Sequence, residues 1–88
     1  MNPMTLLQYR QLAKVTKPVM AMHMGIPLST YEKIESGQSE FRKIHANAAR
    51  WALIELAVAY SDASMLPTGI AGLISDAHSL LDNKKGDQ

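Results

Sequence analysis

The sequence predicts an all-α domain of five helices. Apolar residues recur at the three- and four-residue spacing of amphipathic helices, glycines follow the second and third of these segments, and no segment alternates apolar and polar residues as a strand does. With 88 residues the chain has the length of one domain, and a core of that size is only marginally stable by itself. A partner subunit would therefore help it to fold.

The first two predicted helices are short. Helix 1 covers residues 4–14, in which Thr5 and Gln8 have the spacing of a capping box. Helix 2 begins after Thr16, a favourable N-cap residue. It ends at Gly25, because a left-handed residue at a helix end is least costly for glycine.

Helix 3 is predicted over residues 28–36 and is also short. Tyr31 and Ile34 have i, i+3 spacing and are expected to point inward. Gly37 ends this helix as Gly25 ends helix 2.

Helix 4 is predicted over residues 44–60 and is apolar almost all round, with Glu55 as the exception at its centre. A helix of this kind must be covered on more than one side. Either the short helices and helix 5 cover it, or a second subunit does so as well, and we expect the second subunit. Trp51 is then a core residue or an anchor of the dimer.

Helix 5 is predicted over residues 68–81, where apolar residues form one amphipathic stripe, namely Ile70, Leu73, Ile74, Ala77, Leu80 and Leu81. The chain is thus expected to divide into a main unit (residues 1–61), a C-terminal helix (residues 62–83) and a flexible polar tail (residues 84–88).

Composition and motifs exclude several classes of function. The chain has no cysteine, and no histidine has a second histidine at ligand spacing, so we expect no metal site. His23 and His45 are expected to be solvated. The sequence holds no nucleophile motif, Gly-rich phosphate loop or paired carboxylates, so we expect neither an enzyme nor a cofactor. Without a long apolar run or a signal pattern, we expect a cytoplasmic protein with no membrane span.

Charge is distributed unevenly along the chain, although the net charge is only +1 at pH 7. Residues 1–45 hold six basic and three acidic residues, whereas residues 46–88 hold three basic and five acidic ones. The N-terminal half is therefore better suited to meet phosphate groups.

Several residues between positions 6 and 44 have a joint spacing that is fairly specific. They are Arg10 late in helix 1, Thr16 before helix 2, Ala21 where helices 2 and 3 cross, Gly25 in the turn, Ser29 and Thr30 opening helix 3, and Ile34-Glu35-Ser36-Gly37 closing it. This segment resembles the Cro/repressor (XRE-type) family of helix-turn-helix DNA-binding domains. The resemblance implies a lambda-repressor-like fold and a small regulator of phage or mobile-element type, such as an anti-CRISPR-associated repressor.

The resemblance also implies roles for individual residues. Arg10 and Glu35 correspond to an ion pair that ties helix 1 to the end of helix 3; the alternative is two independent solvated charges. The outward face of helix 3 would read base edges through Leu28, Ser29, Glu32 and Lys33. Phosphate contacts would come from Lys17, Thr30, Gln38, Ser39, Arg42 and Lys43.

Two residues depart from the family pattern at the start of helix 3. Pro27 stands where a capping Ser or Thr is usual, and Leu28 stands where a polar reader is usual. Ser29 then becomes a candidate cap, with Glu32 closing a capping box onto it. Glu32 has two alternative roles, one structural and one in base reading.

The expected function is sequence-specific repression of transcription by a homodimer on an inverted repeat, with control of its own operon. The dimer interface is expected to contain Trp51, Ile54, Val58, Ile70, Leu73, Ile74, Ala77 and Leu80. Two alternatives remain open. One is the antitoxin of a toxin–antitoxin pair, whose C-terminal half also binds a toxin, and the other is a protein-interaction module that has lost DNA binding.

Overall fold

The described part of the chain folds into five α-helices and one short 3₁₀ turn. The computed structural model describes residues 4–86, and no strand occurs among them. In chain order the elements are α1 (Leu6–Ala13), α2 (Lys17–Met24), α3 (Leu28–Glu35), α4 (Lys43–Tyr60), the 3₁₀ turn (Ala63–Met65) and α5 (Thr68–Gly86). The predicted all-helical class with five helices is confirmed.

Local signals set the ends of the first two helices. Thr5 Oγ1 accepts from the Gln8 N–H at 3.2 Å and Gln8 Oε1 accepts from the Thr5 N–H at 2.8 Å, which together form the predicted capping box. Gly25 follows α2 with a φ of +77°, a left-handed conformation that favours glycine. Thr16 is the N-cap residue of α2, but its side chain makes no capping hydrogen bond.

The start of α3 differs from the expectation. Pro27 is the N-cap residue, and its carbonyl accepts the Tyr31 N–H at 3.0 Å, so the helix begins at Leu28. Ser29 therefore lies inside the first turn, where it cannot act as the cap. The predicted capping box between Ser29 and Glu32 is wrong, and the Glu32 side chain is exposed.

The core lies where α1 and α2 pack on one side of α4, and α3 packs on α2 and α1. Its fully buried large side chains are Tyr31, Met20, Leu53 and Leu56. Ala49 and Ala52 of α4 are also fully buried, and their small side chains let the shorter helices approach α4 closely. The 3₁₀ turn contributes Met65 to the same core.

The other side of α4 is not covered within one chain. Trp51 is 58% exposed, so its placement in the core of the single chain is wrong, and its role as an anchor of the dimer stays a prediction. The α5 helix does not fill this role, because residues 71–83 are all exposed and Ile70 alone is buried. Helix 5 was expected to cover α4 more fully than it does.

The last helix is longer than expected. It continues through Asn83 to Gly86, whereas the prediction ended it at Leu81 and placed a flexible tail from residue 84. None of the residues Asn83, Lys84 and Lys85 is a helix breaker, and Gly86 is the first glycine after the apolar stripe of residues 70–81. Residues 87–88 of the predicted tail lie outside the described residues.

Candidate nucleic-acid interface

The outward face of α3 is free of contacts with the core. Tyr31 and Ile34 are buried and hold the helix on its inner side. The residues predicted to read bases are all exposed, namely Leu28, Ser29, Glu32 and Lys33, and so is Thr30. Because Tyr31 and Ile34 both lie on the inner side of this short helix, its other side presents a polar face that a ligand can reach.

Arg10 and Glu35 form a two-pronged ion pair between α1 and α3. Arg10 Nε donates to Glu35 Oε2 at 2.9 Å, and Arg10 Nη2 donates to Glu35 Oε1 at 2.8 Å. The Arg10 side chain is 22% exposed and that of Glu35 is 9% exposed. Arg10 Nη1 also donates to the Val15 carbonyl at 3.2 Å. The two side chains are thus brought together rather than separately solvated.

Tyr31 adds a third hydrogen bond to the same carboxylate. Its Oη donates to Glu35 Oε2 at 2.5 Å. Hydrogen bonds from Arg10, and secondarily from Tyr31, hold the pKa of Glu35 below its usual range despite partial burial. Burial, together with the hydrogen bond to Glu35, raises the pKa of the Tyr31 phenol. The end of α3 is therefore fixed to α1 by ionised and well-oriented groups.

This arrangement predicts a loss of stability in acid. A carboxylate whose pKa is lowered by folding stabilises the folded state above its ordinary pKa of about 4.3, and this contribution is lost as the pH falls through the lowered value. We expect the melting temperature of the wild type to fall more steeply below pH 4.5 than that of a Glu35→Gln variant. Thermal melts of both proteins between pH 6 and pH 3 measure the difference, and parallel curves would contradict it.

Exposed basic side chains occur at the start of α2 and at the start of α4. Lys17 is the first residue of α2 and is exposed; its charge also contributes, after the hydrogen bonds from Arg10 and Tyr31, to the lowered pKa of Glu35. Arg42 and Lys43 are exposed at the start of α4. The Glu40 carboxylate lies 3.7 Å from Arg42 Nε, and because both side chains are largely exposed, the pair is weak and leaves Arg42 accessible.

Some of the predicted phosphate contacts share one concave surface. Thr30, Ser39 and Arg42 line an open cleft between α3 and the start of α4. Gln38 is exposed on the connection between these helices, and Lys17 lies on a different element. The cleft thus brings three of the six predicted phosphate contacts together, whereas Lys17 lies outside it.

His45 takes a role that the sequence analysis missed. Its Nδ1 accepts the backbone N–H of Arg42 at 3.0 Å, and its ring stacks on Phe41 at a centroid distance of 6.4 Å. His45 therefore caps the N-terminus of α4 and lines the cleft beside α3, rather than being freely solvated. No sequence signal predicts this cap, because a capping box is recognised by Ser or Thr at the N-cap and Glu or Gln three residues later, and not by Arg42 and His45.

His23 is also not a freely solvated residue. Its Nδ1 lies 3.1 Å from Glu55 Oε1, which joins α2 to α4. No local pattern reveals this contact, because the two residues are 32 positions apart and meet only after the helices pack.

Comparisons of the chain with protein-family models, with curated proteins and with solved structures found no match. Within residues 4–86, no three His, Cys, Asp or Glu side chains cluster in a way that could hold a metal ion. No helix in the described part of the chain has the length and apolar character needed to cross a bilayer. The function must therefore be inferred from the arrangement of α2, α3 and the start of α4.

Proposed function

We propose that the protein is a sequence-specific transcriptional repressor that binds DNA as a homodimer on an inverted repeat and regulates its own operon. The observation that carries this proposal is the exposed polar face of α3, held in a fixed orientation by the Arg10–Glu35 ion pair. Two eight-residue helices, α2 and α3, joined by a tight turn at Gly25 support this proposal, because a helix-turn-helix is expected to have this order. The B-DNA major groove, about 12 Å wide, admits such a helix.

The exposed residues of α3 offer distinct contacts to base edges. Lys33 can donate to guanine O6 and N7, and Glu32 can accept from a cytosine amino group. Leu28 can contact a thymine methyl group, and the Ser29 hydroxyl can hydrogen-bond to either a donor or an acceptor on a base edge. Because Glu32 is not engaged in a capping box, its carboxylate is available for base reading.

Phosphate contacts are assigned to six side chains, namely Lys17, Thr30, Gln38, Ser39, Arg42 and Lys43. Lys17 stands at the N-terminus of α2, where the helix dipole also favours an anion. Contacts on both sides of α3 would fix its register in the groove without carrying sequence information.

A gel-shift assay and footprint on the DNA immediately upstream of the gene test the proposal. We expect a protected region with dyad symmetry and half-sites one helical turn, about 34 Å, apart. We expect affinity to fall steeply with salt concentration, because phosphate contacts release counterions. Absence of a footprint, on this DNA and on sites selected from a random pool, would favour the protein-interaction module that has lost DNA binding.

Two lysine variants separate base reading from phosphate contact. Lys33→Ala is expected to lower affinity for the operator by about 1–3 kcal/mol and to relax the preference at one base pair. Lys17→Ala is expected to weaken binding to all sequences alike and to reduce the salt dependence. Competition binding against operators with single base changes measures both effects. Unchanged discrimination in Lys33→Ala would show that another residue reads the base.

The exposed apolar surface of α4 and α5 favours a second candidate, the antitoxin of a toxin–antitoxin pair. In that case the surface would bind a toxin as well as, or instead of, a second copy of the chain. A stable homodimer formed by the purified chain alone would weaken this second candidate, since the surface is then covered without a toxin.

A further inference from the structure

A second concave surface lies between α1 and the start of α4, beside the cleft that α3 lines. Its volume is about 310 Å³, which is at the lower end of the range for small-ligand sites. Arg42, Lys43 and Arg50 line it, and no acidic side chain of the described residues does so. We call this concavity the basic pocket.

The remaining wall of the basic pocket is mainly apolar. Tyr9 and Phe41 contribute their rings, which pack edge to face with centroids 6.2 Å apart. Tyr9 is only 5% exposed, and Phe41 is partly buried against the core. A concavity that is lined by charges of one sign and backed by such low-dielectric walls concentrates their electric field. The basic pocket is therefore a place to which an anion is attracted.

Arg50 is held in place without being neutralised. Its Nη1 donates to Oδ1 of Asn47, three residues earlier on α4, at 2.7 Å. Among residues 4–86, Arg50 forms no ion pair with a carboxylate. A guanidinium has five N–H donors, so most of them remain available to a ligand. No role for Arg50 follows from the sequence alone, because the pocket forms only when α1 packs on α4.

Arg42 connects the basic pocket to the cleft beside α3. Its side chain lines both, whereas no residue of α3 lines the basic pocket. In the described part of the chain, Glu40 is the one acidic residue paired with Arg42, at 3.7 Å from Nε, and both side chains are largely exposed. Such a pair is weak, so Arg42 keeps most of its attraction for an anion. The positive surface thus continues from the cleft along α4 to Arg50, which lies about 12 Å further along the helix axis.

We propose that the basic pocket binds a phosphate group, and that Arg50 is a phosphate-binding residue beside Arg42 and Lys43. A guanidinium presents parallel N–H groups that match two phosphate oxygens, and the lysine ammonium adds a point charge. The three cations line one concavity, so a single phosphate group can meet more than one of them.

Two sources supply this chemistry, the DNA backbone and a free phosphate ester. With DNA as the source, the inference rests on the proposed function, and Arg50 extends the phosphate contacts beyond the end of the cleft. With a free ester as the source, the ligand occupies Arg42 and Lys43 as well, and it competes with DNA for them. The pocket itself depends on neither source, because its charges and walls are those of the free chain.

Titration of the full chain with inorganic pyrophosphate at constant ionic strength tests the pocket without DNA. We expect saturable binding, with the largest amide chemical-shift changes in NMR spectra at residues 41–50. Arg50→Gln should raise the dissociation constant by at least ~10-fold, since a charge-assisted hydrogen bond is lost. Its amide can still bond Asn47, which preserves the local fold. Arg50→Lys, which keeps the charge but loses the planar group, should lie between the wild type and Arg50→Gln.

Lys14→Gln is the matched control for the loss of charge. Lys14 is an exposed lysine that follows α1 at its other end, and it does not line the basic pocket. The affinity of this variant for pyrophosphate should stay within ~2-fold of the wild type, because salt screens a distant exposed charge. Equal losses in Arg50→Gln and Lys14→Gln would show that net charge alone attracts the anion, and would overturn the proposal.

Salt titrations of DNA binding distinguish the two sources. If the DNA backbone fills the pocket, Arg50→Gln should weaken binding to all sequences alike and lower the slope of log K against log salt concentration by about 0.9. If a free phosphate ester fills it, the slope should match that of the wild type while pyrophosphate binding is lost. An unchanged slope together with no saturable pyrophosphate binding would overturn the pocket. Pyrophosphate binding through Arg50 by a protein that binds no DNA would overturn the proposed function alone.

Discussion

Replacement of Glu35 by alanine is expected to lower the free energy of unfolding by about 2–3 kcal/mol. The change leaves the Arg10 guanidinium without its two carboxylate contacts and the Tyr31 hydroxyl without its acceptor. The cost falls below the ~3–5 kcal/mol of a fully buried pair because Arg10 is partly exposed. For a domain of this size the melting temperature should fall by about 10–20 °C. Urea denaturation and thermal melts at pH 7 measure both quantities.

Glu32→Ala is the matched control, since Glu32 lies on the same helix but is exposed. It should leave the free energy of unfolding within about 0.5 kcal/mol of the wild type. A double-mutant cycle with Arg10→Met should give a coupling energy above ~1 kcal/mol between Arg10 and Glu35. Additive effects of the two substitutions would show that the pair does not act as a unit.

The ends of the short helices were predictable because they depend on nearby residues. The Thr5–Gln8 capping box and the left-handed Gly25 each involve only a few consecutive positions. The same local logic failed at Ser29, because Pro27 supplies an extended residue whose carbonyl starts the helix two positions earlier than a cap at Ser29 would. A shift of this kind in the start of the helix decides whether the Glu32 side chain takes part in a capping box or is free to contact a ligand.

The contacts between helices were less accessible to sequence analysis. The Arg10–Glu35 pair was expected only through resemblance to a family, and the hydroxyl of Tyr31, expected simply to face inward, was not expected to join it. The contact of His23 with Glu55 depends on how α2 crosses α4, which periodicity does not specify. Local patterns show which face of a helix is apolar, but packing decides which polar groups meet.

The largest correction concerns what covers α4 and α5. The apolar stripe of α5 was read correctly from its spacing, yet periodicity cannot tell whether a stripe is buried in its own chain or against another. The exposure of Trp51, Leu73 and Leu80 shows only that these side chains are not buried in their own chain. The homodimer therefore stays a prediction.

A Leu73→Glu/Leu80→Glu variant, which places charges in the predicted dimer interface and should be a monomer, is expected to show the largest loss of operator affinity. When two α3 helices belong to one dimer, binding of the first half-site places the second at a high effective concentration, which raises affinity by about 10²–10⁴-fold over a single site. A monomer loses this gain, although its α3 face is unchanged. Quantitative gel shifts on the full inverted repeat should therefore show a decrease of that size, whereas the control Ser75→Glu, which alters an exposed residue on the opposite side of α5, should stay close to wild type.

A DNA probe with a single half-site separates the effect of dimer formation on affinity from the effect of base reading by α3. On this probe the double variant and the wild type should bind with similar, weak affinity, because each uses one α3 helix. Adding Lys33→Ala to the double variant should then lower half-site affinity by the same ~1–3 kcal/mol as in the dimer. If the double variant lost half-site binding as well, α5 would have to act on α3 directly. That outcome would contradict the separation of a reading surface at α3 from an assembly surface at α4 and α5.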